Sequence, residues 1–100
     1  MGVRSVDLKE DLSSKEVVKK IGGPLMPDQI AAILNLQPGG APGRLLHGDV
    51  NWAFMTGKDG QLFAVALACL PQKGDKWGLF AGEFVQEGIL PAGARVFFNT

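Results

Sequence analysis

The sequence of 100 residues predicts an α+β domain, with two short N-terminal helices followed by an antiparallel meander of three to four strands. Two observations predict it. Residues 14–36 hold apolar positions at helical spacing, broken by Gly22-Gly23, whereas residues 50–70 and 76–85 follow the two-residue period of strands. Between these halves, residues 37–43 read Gln-Pro-Gly-Gly-Ala-Pro-Gly, loop chemistry rather than an element. With 46% hydrophobic residues the chain can build a core, and its length fits one domain over residues 1–100.

Each element has its own signals. Residues 3–8 alternate apolar and polar, as a short strand does, and residues 1–12 equally suit a flexible arm. Ser13 with Glu16 three positions on is a capping box, in which each side chain satisfies a backbone N–H of the other residue. A helix over residues 14–21 follows, with Val17, Val18 and Ile21 as its stripe and Lys19 and Lys20 at the end where cations favour the dipole. Pro27-Asp28 opens a second helix, since proline loses nothing in a first turn. Its apolar face is Ile30, Ile33, Leu34 and neighbours, and Pro38-Gly39-Gly40 stops it.

In the rear half, Trp52 and Phe54 share one strand face and Ala53 and Met55 the other. Asp59-Gly60 signals a hairpin turn. The next strand carries Phe63, Val65, Leu67 and Cys69 against Leu62, Ala64, Ala66, Ala68 and Leu70, so both faces are apolar and it is expected to be central. Its small alanine face is expected to take the helices. Residues 76–85 alternate, with Gly78 and Gly82 on the face of Phe80 and Phe84. A last strand, residues 95–98, is expected to close the meander as an exposed edge.

Composition excludes several functional classes. Ten basic and ten acidic residues cancel, and they also balance within each half, which argues against nucleic acid as a partner, since phosphate neutralisation demands a basic excess. The first twenty residues carry nine charges, unlike a secretory signal. The apolar run at 62–70 is far short of the ~20 residues of a membrane helix, so no membrane association is expected. A single cysteine cannot staple the fold internally, and a cytoplasmic location follows as the expectation.

Chemical motifs are sparse, and no cofactor, metal site or catalytic set is expected. His47 and Asp49 form a His-x-Asp pair, and Cys69 is the sole thiol, but a catalytic metal needs three protein ligands and a reactive thiol needs a cationic setting. Cys69 sits instead among alanines and leucines. The four-residue spacing of Glu83 and Glu87 does not by itself make a carboxylate pair. The expected function is therefore non-catalytic protein–protein interaction as a homo-oligomer, with Arg95, Val96, Phe97 and Phe98 as the strand that pairs across the oligomer axis. The alternative is a small-molecule binding module whose apolar pocket is lined by Trp52, Phe54, Trp77 and Phe80. A third reading is a small enzyme using His47, Asp49 and Cys69.

Overall fold

The computed structural model describes residues 3–36, 45, 50–70 and 76–99. Along the chain it places β1 (Val3–Asp7), β2 (Leu12–Ser13), α1 (Ser14–Lys20), α2 (Pro27–Leu36), β3 (Asn51–Thr56), β4 (Leu62–Leu70), β5 (Lys76–Glu83), β6 (Ile89–Leu90) and β7 (Arg95–Asn99). Strand outweighs helix, and the main sheet has five strands in the order β1-β7-β3-β4-β5.

This order corrects the predicted architecture in two respects. The helices do not begin the fold, since β1 and β2 precede them. The sheet is also mixed. The hairpins β3–β4 and β4–β5 form an antiparallel meander, but β7 returns across the sheet to pair parallel with β3 and antiparallel with β1. The physical reason lies in Val96 and Phe97, which project to opposite faces and are each 1% exposed. Only a strand flanked on both edges and covered on both faces buries two successive large side chains.

The helices also divide between the two faces rather than sharing one. On one face, α2 packs Ile30 and Ile33 against Ala53, Val65, Leu67 and Phe97. On the other, Val17 of α1 joins Leu8, Phe54, Leu90, Ala94 and Val96. The fully covered side of β4 is thus its bulky one, with Val65 and Leu67 buried, whereas Ala66 and Ala68 are half-buried. A buried amide helps to hold the β3–β4 register, as Asn51 Nδ2 donates to the Leu67 carbonyl at 3.1 Å.

Local signals act as the residues dictate. At the start of α1, Glu16 N–H donates to Ser13 Oγ and Ser13 N–H to Glu16 Oε1, both at 3.2 Å, which completes the capping box. Those hydrogen bonds to Ser13, with a smaller contribution from Lys20, hold the Glu16 carboxyl below its usual range. The β3–β4 turn closes with Gly57 N–H donating to the Gln61 carbonyl at 2.8 Å. Gly60 there adopts φ 82°, a conformation that glycine takes without steric cost.

Between the helices the chain passes through the sheet. At the ends of β7 and β3, where their direct pairing has stopped, residues 23–25 fill the gap. Gly23 and Asn99 exchange backbone hydrogen bonds of 3.3 and 3.1 Å on one side. On the other, Leu25 N–H donates to the Phe54 carbonyl and Thr56 N–H to the Leu25 carbonyl. Leu25 is wholly buried, and this strap carries the chain from the α1 face to the α2 face.

Two predictions follow from this packing. A Cβ on Gly22 would lie 2.3 Å from Cδ2 and 3.1 Å from Cβ of Phe98, whereas one on Gly23 would meet only the Asn99 carbonyl at 3.9 Å. Gly22→Ala should therefore cost about 1–3 kcal/mol of stability and Gly23→Ala much less, compared by urea unfolding. The second concerns Asp7, whose carboxyl accepts from Arg95 Nε at 2.7 Å, a bond that lowers its pKa. A lowered folded pKa adds stability above the unfolded value and loses it as pH falls through the folded one. The Asp7 side chain is 54% exposed, so screening keeps the gain below about 1 kcal/mol. Asp7→Asn should be less stable than the parent near neutral pH and equal to it in strong acid, measured by urea unfolding at both.

Candidate functional site

Alternation along the paired strands sorts every candidate side chain onto a face. On the α1 face a single row crosses the sheet: Val6, Val96, Trp52, Ala66 and Phe80 stand opposite one another in successive strands. Burial changes along that row. Val96 is in the core, Trp52 and Ala66 are half-buried, and Phe80 is 59% exposed. On the α2 face the parallel row runs Asp7, Arg95, Asn51, Leu67 and Leu79, and Leu79 is 48% exposed. Both rows end in a large apolar side chain facing solvent on β5, which among the described residues is the last strand of the sheet.

The four aromatic residues expected to line one pocket are not brought together. Trp52, Phe54 and Phe80 lie on the α1 face, but Trp77 stands opposite Cys69 and packs at the margin of the α2-side core. Phe54 is a core residue, its ring 5.2 Å from that of Phe84 in an edge-to-face contact at 76°. Cross-strand pairing of the two tryptophans is ruled out by β4, which lies between their strands.

Arg95, Val96, Phe97 and Phe98 do not form an edge. Their strand is paired with β1 along its length and with β3 over Arg95 to Phe97, so its backbone is already engaged on both sides. Among the described residues the edges of the main sheet are β1 and β5. The edge at β5 was missed in sequence, although its signal is present: two glycines and charges at both ends, against the uninterrupted apolar run of Val96 to Phe98.

His47 and Asp49 lie outside the described residues, as does the side chain of Cys69. Among the described residues no three His, Cys, Asp or Glu side chains are grouped to hold a metal ion. Among the described residues the groups with displaced pKa values are Asp7, Glu16 and Arg95, on β1, α1 and β7, and the causes are their own ion pairs and capping bonds. None touches β5. No helix of the described residues is long and apolar enough to cross a membrane.

Comparison with protein-family models, curated proteins and solved structures finds no match. The functional argument therefore rests on the chain's own geometry, and that geometry singles out the solvent-facing end of the sheet at β5.

The two phenylalanines of the α1 face separate core from surface. Phe54→Ala should cost about 3–5 kcal/mol, the range for a buried aromatic. Phe80→Ala should fall within about 0.5 kcal/mol of the parent in dilute solution, as exposed positions do. Chemical denaturation of both variants at low protein concentration checks the contrast.

Proposed function

We propose that this chain acts through protein–protein contact as a homo-oligomer, without chemistry of its own, and that β5 is the contact element. One observation carries the reading. Leu79 and Phe80 project from opposite faces of an outermost strand, at 48% and 59% exposure. Among the described residues no strand lies beyond β5, and an outermost strand is a template for pairing with another chain unless charge or proline blunts its edge. Between Lys76 and Glu83 this strand holds neither. Its residues Trp77 to Gly82 are all apolar or glycine. Zero net charge removes the long-range repulsion that would keep two copies apart.

A cytoplasmic setting suits a chain with a lone cysteine. The small-molecule reading loses its main support, because Trp77 lies on the other side of the sheet from Trp52 and Phe80.

Sedimentation equilibrium tests the proposal. The expected result is an average mass that rises above 10.6 kDa through the micromolar range. Phe80→Lys and Leu79→Lys should return the mass to that of one chain while leaving the circular dichroism spectrum unchanged. A single 10.6 kDa species throughout, or lysine variants that associate like the parent, would overturn it.

A further inference from the structure

We infer that the side-chain amides of Gln29 and Asn99 form a latch, which joins the start of α2, the strap of residues 23–25 and the end of β7 into one unit that opens and closes as a whole. The inference stands apart from the reading of β5, because none of these residues lies on that strand.

The need for a latch arises in the sequence. Between the helices the chain reads Gly22-Gly23-Pro24-Leu25-Met26-Pro27, so two of these six residues lack a backbone N–H and two more are glycines. Such a stretch has little local structure to hold it. Met26 precedes Pro27 at the N-cap position of α2, where a serine or aspartate would supply an acceptor and methionine does not. Gln29, three positions on, provides the other half of a capping box. Its Oε1 accepts from Met26 N–H at 2.8 Å.

The same amide faces β7. Gln29 Nε2 donates to Asn99 Oδ1 at 3.0 Å, and Asn99 Nδ2 donates to Gln29 Oε1 at 2.9 Å. Asn99 Nδ2 also donates to the Pro24 carbonyl at 3.4 Å, while the Asn99 backbone exchanges two bonds with Gly23. Each amide is thus oriented by a backbone group next to or within the strap. Met26 N–H requires an oxygen from Gln29, and the Pro24 carbonyl requires a nitrogen from Asn99. With both requirements met, the two amides face each other donor to acceptor twice. If the strap lifts, Asn99 loses Gly23 and Pro24, and with them the orientation that matches it to Gln29. If β7 lets go at Asn99, Gln29 retains only Met26. Contacts that depend on one another in this way open together rather than fraying one residue at a time.

The latch guards Leu25. That side chain is wholly buried in the α2-side core, and its backbone bonds to Phe54 and Thr56 of β3. Opening withdraws it and leaves the ends of β3 and β7 unpaired at once, so this is where the sheet gives way short of unfolding.

Native-state hydrogen exchange tests the inference, with each variant read on elements to which the altered residue does not belong. In the parent, the Gly23, Leu25, Thr56 and Asn99 amides should share one opening constant, larger than that of Val65 and Leu67 at the centre of β4. Asn99→Ala should raise exchange about tenfold at Leu25, Met26 and Thr56, and Gln29→Met should do so at Gly23 and Asn99, the effect of losing two neutral hydrogen bonds. Val65 and Leu67 should keep the parent's rates. The double variant should exchange no faster than the faster single one, since both changes break the same pair. Should Asn99→Ala not fold, Gln29→Met, which keeps the side-chain length on a helix, decides the matter alone. Unequal opening constants in the parent, acceleration confined to the altered element, or effects that multiply in the double variant would each overturn the latch. Equal acceleration at Val65 and Leu67 would overturn it too, by making the amide pair part of the global core.

Discussion

Val96 and Phe97 sit next to each other in β7, point to opposite faces and are both withdrawn from water. That double burial requires a neighbour on each edge of the strand and a cover on each face. The requirements are met by four different parts of the chain: β1 and β3 on the edges, α1 with the β2–β6 pair on one face, α2 on the other. Each fully buried large side chain is worth roughly 1.5–3 kcal/mol of transfer free energy, so this strand is where the fold concentrates its stabilisation. The strap of residues 23–25 is part of the same arrangement. Because β7 and β3 diverge beyond Phe97, a third stretch of backbone must satisfy their unpaired groups, and Gly23 and Leu25 do so.

Much of the local structure was legible in the residues. The capping box at Ser13 and Glu16, the proline-led second helix and the Asp59-Gly60 turn each depend on a few neighbouring positions, and each forms where its chemistry points. The doubly apolar strand over 62–70 is flanked on both edges, although only its bulky face is fully covered. What was not legible was long-range. The alternation in residues 3–8 suits an edge strand or an arm alike, and only its pairing with β7 decides between them. The return of β7 to the far side of β3 depends on which slot offers burial on both sides. Val96, Phe97 and Phe98, apolar without alternation, did carry that information, because such a run is at odds with a half-exposed edge.

The site was less legible than the fold. Phe80 was recognisable as a candidate, but the grouping of Trp77 with Trp52, Phe54 and Phe80 in one pocket required a common face that residue type alone does not fix. The register through β4 aligns Trp52 with Phe80 and leaves Trp77, three residues from Phe80, on the other face. Leu79 carries no surface signal of its own, since one leucine in an alternating strand is indistinguishable from a core residue until the strand's place in the sheet is known. Position within the sheet, rather than residue type, makes Leu79 and Phe80 a surface and Phe54 a core.

The pairing of β1 with β7 also bears on the order in which the chain can assemble. Asp7 and Arg95 are 88 positions apart, and closing a loop of that length costs on the order of 4 kcal/mol in chain entropy. The β3–β4 hairpin, joined by a tight turn, bears almost none of that cost. During synthesis the meander of β3, β4 and β5 is therefore free to form while one edge of β3 still stands open, waiting for a strand that begins twelve residues after β5 ends, at Arg95 against Glu83. That interval is when the wrong strand, from this chain or another, competes for the slot that β7 finally fills.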